Sequence, residues 1–173
     1  MILIDANLLL YAYNASSEHQ TTARLWLEKM FSGSQPVRFA WVTLLAFLRI
    51  GTNSRVFPHP LSASEAVALV SEWLELPAVA ILDPGEDHWK VLADLLTTSQ
   101  AHGPLVMDAH LAALAIEHGA TLYTTFSPCL MCTKMIINSG IKEVVFNVDY
   151  PLGDVALKLL KEAKIQSRKL KIS

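Results

Sequence analysis

The strongest constraint on the fold is a repeated alternation of short apolar runs with helical segments. After residue 104, an Ala/Leu-rich helical segment ends at Gly119, a strand-like run covers 120–125, and Ser127-Pro128 predicts a new helix start. Similar apolar runs lie at 1–4, 78–82, 142–148 and 165–172. Strands that alternate with helices favour a mainly parallel sheet with helices on both faces. We therefore predict an α/β fold, a three-layer sandwich around a mainly parallel central sheet.

Composition limits the class of protein. The chain has 173 residues, of which 52% are hydrophobic and 17% are charged, and this suits one compact globular domain, with or without a subdomain. No apolar run approaches the roughly 20 residues of a membrane span. Residues 1–4 lead directly into Asp5 without a basic segment, which predicts a buried strand rather than a signal peptide. The two cysteines are too close in sequence for a good structural disulfide, so we expect a cytoplasmic protein with no membrane partner.

Charge is unevenly distributed along the chain. Residues 1–125 hold six basic and twelve acidic residues, a net charge near −6, whereas residues 126–173 hold eight basic and four acidic residues, near +4. All six histidines and all four tryptophans lie in the first part, and both cysteines lie in the second. This partition indicates two ancestries joined near residue 125, with chance in a short segment as the alternative. The basic C-terminus is either a solvated surface or a surface that faces RNA.

Two aspartates stand beside predicted strands. Asp5 follows the first apolar run, and Asp108 begins the helix that precedes the 120–125 strand. Ligands of open α/β sheets bind outside the carboxyl ends of the strands. Carboxylates at that edge can hold Mg²⁺ or Mn²⁺, which would activate water and stabilise charge on a phosphodiester. The alternative is that both aspartates are helix N-caps.

Four segments of the first 125 residues carry a family resemblance: 1–12, Phe47-Leu48-Arg49-Ile50, Pro60-Leu61-Ser62 and 108–120. They resemble a PIN-domain ribonuclease, the toxin half of a VapBC-type toxin–antitoxin pair. The resemblance implies a PIN-like fold and a metal-dependent ribonuclease in which Asp5 and Asp108 are the catalytic residues and hold Mg²⁺ or Mn²⁺. It also implies an RNA substrate, a cognate antitoxin protein and a homodimer.

Two departures from the PIN pattern predict an impaired enzyme. The predicted helix at 39–50 contains no acid where many PIN domains have a Glu. Family members also place an Asp after the third strand, whereas here Thr125 is followed by Phe126-Ser127-Pro128. The expected third carboxylate is therefore missing.

Cys129 and Cys132 form a second candidate site. Their spacing places both thiols on one face of the first helical turn, where the helix N-terminus is expected to lower their pKa and favour the thiolates that bind Zn²⁺. An inert pair of small core residues and a redox pair are the alternatives.

Residues 120–172 resemble the C-terminal part of zinc-dependent cytidine or deoxycytidylate deaminases, through 120–125, Ser127-Pro128-Cys129-Leu130-Met131-Cys132, 134–141 and 144–146. In that family the Cys pair binds zinc with a His, and the Glu of a His-x-Glu motif transfers protons. This chain has no His-x-Glu motif. His110-Leu111-Ala112 stands where it is expected, so the resemblance implies His110 as a possible third zinc ligand and makes deaminase activity unexpected. A mixed zinc site of Asp108, His110, Cys129 and Cys132 is a further alternative.

These expectations combine into one hypothesis. Residues 1–125 form a PIN-like nuclease domain that is incomplete at its C-terminal end, and residues 126–173 form a deaminase-like segment that shares its sheet. The leading function is an impaired VapC-like ribonuclease toxin. The alternatives are a catalytically silent zinc-binding or antitoxin-binding module, and an artificial or accidental chimera without activity.

Overall fold

The structure is a computed structural model that describes residues 1–129, 132, 133, 136, 141–149 and 153–169. The chain divides after Leu82 into two compact units, an N-terminal unit from Ile2 to Leu82 and a C-terminal unit from Asp83 onward. The expected α/β fold is confirmed, and the strand pairs recorded within each unit are parallel. Among the described residues, no helix is both long and apolar enough to cross a membrane.

Three short strands and four helices form the N-terminal unit. Strand β2 pairs with β1 on one side and with β3 on the other, so that Val37 lies opposite both Ile2 and Val79. The strands are β1 (Ile2–Ile4), β2 (Val37–Phe39) and β3 (Val79–Ile81), and the helices are α1 (Ala6–Tyr13), α2 (Gln20–Phe31), α3 (Trp41–Gly51) and α4 (Ala63–Glu75).

Strand β2 corrects one sequence prediction. The pattern predicts a helix from residue 39 and no strand before it, but Phe39 ends β2 and the helix begins at Trp41. Val37 and Phe39 are fully buried while Arg38 is half-buried, which is the alternation of a strand. Ala40 then adopts an extended conformation as the N-cap of α3, so the change from strand to helix takes one residue.

Aromatic side chains fill the core of the N-terminal unit. The rings of Phe47 and Trp73 lie 4.9 Å apart between their centroids, and the Trp73 indole N–H donates to the Tyr13 hydroxyl at 3.3 Å. This arrangement satisfies the polar atom of a buried indole, as large aromatic residues in cores usually require. Helix α4 delivers Trp73 and begins with a capping box between Ser62 and Glu65.

Three helices and three strands of the C-terminal unit are described over their full length. Strand β5 pairs with β4 and with β6, so that Val145 lies opposite both Tyr123 and Arg168. The elements are α5 (His88–Ser99), α6 (Leu105–Glu117), β4 (Thr121–Phe126), β5 (Glu143–Val148), α7 (Gly153–Glu162) and β6 (Gln166–Lys169). Gly119 follows α6 with a φ of 60°, as predicted for the residue that ends this helix.

Two predicted elements fall partly outside the described residues. Of the helix predicted from Ser127-Pro128 to about residue 139, Cys132, Thr133 and Ile136 are described and helical, and the Thr133 N–H donates to the Cys129 carbonyl at 2.8 Å. The last strand was predicted to reach residue 172, and it is described as far as Lys169.

Candidate functional site

Asp5 is both the end of a strand and the cap of a helix. It follows β1 directly, and its carboxylate accepts from the Ala6 N–H at 2.7 Å and from the Asn7 side-chain amide at 2.9 Å. Burial raises the pKa of Asp5 above its usual value, and these hydrogen bonds oppose the rise. No cation contacts this carboxylate within the part of the chain that the structure describes. Asp5 therefore places a largely buried carboxyl group directly after β1.

Thr43 holds the end of β1 in place and was missed by the sequence analysis. Its side chain is buried, and its hydroxyl donates to the Ile4 carbonyl at 3.2 Å. Ile4 immediately precedes Asp5, so this bond fixes the backbone that carries the carboxylate. Helix α3, which contains Thr43, has no acid in its sequence from Trp41 to Gly51.

Asp108 is exposed in the first turn of α6. Helix α6 begins at Leu105, so Asp108 is the fourth residue of the helix rather than its N-cap. The partial positive charge of a helix N-terminus favours a carboxylate in the first turn. Asp108 belongs to the C-terminal unit and Asp5 to the N-terminal unit.

The two cysteines lie side by side. The Cys129 and Cys132 sulfur atoms are 3.4 Å apart, and the Cys132 N–H points to the Cys129 sulfur at 3.5 Å. Both residues are half-buried. Their separation is close to the spacing of two thiolates on one zinc ion, about 3.8 Å for tetrahedral bonds of 2.3 Å.

The expectation that the helix N-terminus lowers both thiol pKa values is wrong for Cys132. Burial raises the pKa of Cys132 to about 12, and the neighbouring Cys129 and the negative charge of Asp108 add to the rise. Desolvation therefore outweighs the helix dipole at this position. The same effect shows that Asp108 and Cys132 are close enough to interact electrostatically. A metal that binds Cys132 must displace its proton.

His110 is held by a hydrogen-bonded chain that the sequence analysis missed. Its Nδ1 lies 2.9 Å from His88 Nε2, and His88 Nδ1 lies 2.5 Å from the Glu117 carboxylate. Burial lowers the pKa of His110, and the neighbouring His88 lowers it further. His110 and Glu117 are seven residues apart on α6 and so share one face of that helix, a signal that the sequence contained. His88, from α5, bridges the two.

The structure brings only some of the predicted metal ligands together. Asp108 influences Cys132, and Cys132 contacts Cys129, whereas the Nδ1 of His110 is engaged with His88. No group of three or more His, Cys, Asp or Glu side chains arranged to hold a metal is found within the described ranges. Asp5 and Asp108 each offer the carboxylate oxygens that Mg²⁺ prefers.

Comparison with known families shows which family the chain belongs to. The PIN-domain family model matches residues 2–126. The chain belongs to the PIN-domain family. The MafB19-like deaminase family model matches residues 95–173, so this PIN-domain chain also resembles a deaminase in its C-terminal part, as the sequence indicated. The two matches overlap at 95–126, across α6 and β4.

The relatives of this PIN-domain chain are VapC ribonucleases. It is 45% identical to ribonuclease VapC37 of Mycobacterium tuberculosis over 122 residues, which cover 70% of this chain and 85% of the relative. It is 37% identical to VapC ribonuclease Mb2897 of Mycobacterium bovis over 121 residues, covering 70% of this chain and 82% of that protein. The predicted family is thereby confirmed.

Solved structures support the fold alone. VapC20 of Mycobacterium tuberculosis, described as a sarcin–ricin loop cleaving toxin, has a TM-score of 0.53 at 20% identity, covering 70% of this chain and 87% of that one. FitAcB from Neisseria gonorrhoeae has a TM-score of 0.51 at 20% identity and covers 85% of this chain and 97% of that one.

Proposed function

We propose that this chain is a VapC-like ribonuclease that depends on Mg²⁺ or Mn²⁺ and is impaired by the loss of its third carboxylate. The observation that carries the proposal is the 45% identity to a VapC ribonuclease over 122 residues, together with the PIN-domain match at residues 2–126, which contain both candidate aspartates. The burial of the Asp5 carboxyl group, which no cation contacts among the described residues, supports it from the structure. RNA is the proposed substrate.

Asp5 and Asp108 are the proposed metal ligands and catalytic residues. A divalent ion, when bound, would supply an activated water and neutralise charge that develops on the scissile phosphate. Asp5 is oriented for this role by the Ala6 and Asn7 hydrogen bonds, and Thr43 fixes the backbone before it. Phe126 stands where the family expects a carboxylate, so we expect a weaker ion affinity than a complete site would have.

The proposed partners follow from the same family. A cognate antitoxin protein and a second copy of the chain are the proposed protein partners, and the cytoplasm is the proposed compartment. The proposed division is a PIN-like part up to residue 125 and a deaminase-like segment at 126–173.

A cleavage assay with matched variants tests the nuclease. RNA is incubated with the chain in Mg²⁺ or Mn²⁺, and Asp5→Asn and Asp108→Asn are compared with Asp94→Asn, which alters an exposed aspartate on α5. Loss of a carboxylate ligand should reduce cleavage by at least about 100-fold, and Asp94→Asn should not. Cleavage that survives Asp5→Asn would remove the site assignment.

A silent zinc-binding or antitoxin-binding module is the second candidate. The 3.4 Å separation of the Cys129 and Cys132 sulfur atoms favours it. Zinc content is measured on the protein used for cleavage, before any metal is added. Stoichiometric zinc that Cys129→Ser removes, without cleavage, would support the silent module, with His110 as a further possible ligand. Absence of both cleavage and zinc would support the third alternative, an inactive chimera.

Deaminase activity is not proposed. The chain retains the Cys pair of that family, but no His-x-Glu motif occurs in its sequence. Ala112 takes the place of the proton-transferring Glu, and a methyl group cannot carry a proton.

A further inference from the structure

A basic groove lies between α7 and β6 in the C-terminal unit. It is open to solvent and has a volume of about 710 Å³. Its charged walls are formed by Lys158 and Lys161 of α7 and by Arg168 of β6, and Leu157 and Ile165 form an apolar floor. These five residues define the basic groove.

The cations of the basic groove are only partly neutralised. Glu143 is the sole acid among its described lining residues, and it accepts from Arg168 Nε at 3.3 Å. Within the described part of the chain, no ion pair is recorded for Lys158 or Lys161. The two lysines are exposed and three residues apart on a helix, so their side chains leave neighbouring positions on one face.

The groove suits an extended polyanion better than a compact anion. Its cations come from two elements, α7 and β6, and no aromatic side chain belongs to its described lining. Stacking on aromatic rings is how proteins hold the bases of single strands, whereas lysine and arginine hold the phosphates. A ligand with a repeated negative charge would therefore be bound through its backbone, without preference for base sequence.

The charge distribution of the chain indicates a function for this groove. Residues 1–125, which contain both candidate catalytic aspartates, have a net charge near −6 and would repel RNA, while residues 126–173 are near +4. We propose that the basic groove binds the phosphate backbone of single-stranded RNA, so that the deaminase-like segment adds RNA affinity to an acidic nuclease. The choice of RNA as the polyanion rests on the proposed ribonuclease function.

Paired charge-removing variants test the groove. Lys158→Gln with Lys161→Gln removes two groove charges, and the control removes two exposed lysines elsewhere, Lys29→Gln with Lys90→Gln. Binding of a labelled single-stranded RNA of mixed sequence is measured by fluorescence anisotropy in EDTA, which prevents metal-dependent cleavage, over a series of salt concentrations. Circular dichroism confirms that each variant is folded.

The groove variant should change both affinity and salt dependence. The binding constant K falls as salt rises, and each lost phosphate contact on a single strand reduces the steepness of log K against log salt by about 0.7. Two lost contacts reduce it by about 1.4. At about 0.1 M salt this corresponds to a Kd raised by about tenfold or more. The control should change Kd by less than about twofold because neither of its lysines lines the groove.

Three results would overturn the proposal: unchanged binding in the groove variant, equal weakening in the control, or competition by polyglutamate as strong as that by unlabelled RNA. The outcome is separable from that of the nuclease proposal because binding is measured without cleavage. Groove-dependent binding by a chain that never cleaves would refute the nuclease alone. Cleavage by a chain whose RNA binding ignores the groove would refute the groove alone.

Discussion

We expect the loss of the His88 side chain to lower the free energy of unfolding substantially. The substitution His88→Ala removes the bridge between His110 and Glu117, leaving a carboxylate whose side chain is 9% exposed without its 2.5 Å partner. A hydrogen bond to a charged group contributes about 1.5–3 kcal/mol, and breaking a buried pair costs about 3–5 kcal/mol. We expect a loss of about 3 kcal/mol in the free energy of unfolding, which lowers Tm by about 6–12 °C in a chain of this size.

The matched control is His118→Ala. His118 follows α6 and is exposed, and its side chain forms a hydrogen bond from Nε2 to the Asp83 carbonyl at 3.0 Å. Its loss should cost less than about 1 kcal/mol. Urea unfolding followed by circular dichroism measures both variants at the same pH. A His88→Ala cost no larger than that of His118→Ala would show that the buried chain does not stabilise the protein.

A double-mutant cycle separates the bridge from general packing. If His88 and Glu117 act as a pair, Glu117→Ala made in the His88→Ala background should cost little more than His88→Ala alone. The expected coupling is about 2 kcal/mol. Additive costs would mean that the two side chains contribute independently, and would refute the reasoning from their contact.

Three further predictions concern single sites. Gly85→Ala should destabilise the chain by about 1–2 kcal/mol in thermal unfolding, because the new Cβ would lie 2.9 Å from Glu117 Oε1 of a carboxylate whose Oε2 is bound by His88. Without metal at pH 7, Asp5→Asn should be more stable than the wild type by about 1 kcal/mol, whereas Asp5→Ala loses the cap and should not gain. Because burial raises the pKa of Asp5, the folded state binds the Asp5 proton more tightly than the unfolded state does. Ionised Asp5 therefore destabilises the wild type in full above its folded-state pKa. The stability advantage of Asp5→Asn should shrink as the pH falls towards 3.8. Cys132, with a pKa of about 12, should be alkylated by iodoacetamide at pH 7.5 much more slowly in the folded protein than after unfolding, and equal rates would contradict its burial.

Local signals accounted for much of the fold. Gly119 ends α6 with a positive φ, and Asp5 caps α1 while ending the first apolar run. These features depend on residues within one or two turns of each other, which the sequence shows directly. Strand β2 was missed because Val37–Phe39 is short, carries Arg38 at its centre and is separated from an apolar helix by Ala40 alone.

The site was less predictable because its decisive contacts are distant in sequence. His88 meets His110 across 22 residues and Glu117 across 29, and no local pattern pairs them. The pKa of Cys132 was predicted in the wrong direction because a helix N-terminus can be read from Ser127-Pro128, whereas burial by the tertiary structure cannot. The roles of Asp5 and Asp108 remain predictions that rest on the family and on the chemistry of carboxylates.

Binding of Mn²⁺ tests the central claim most directly. Free Mn²⁺ is measured by electron paramagnetic resonance during titration of the wild type, Asp5→Asn, Asp108→Asn and the Cys129→Ser, Cys132→Ser pair. If Asp5 and Asp108 hold the catalytic ion, the wild type binds one Mn²⁺ per chain, and each aspartate variant weakens that binding by at least about tenfold. The double variant Cys129→Ser, Cys132→Ser should bind Mn²⁺ as the wild type does, because Mn²⁺ prefers oxygen ligands. Binding that survives both aspartate substitutions, or that disappears with the cysteines, would contradict the assignment of the site.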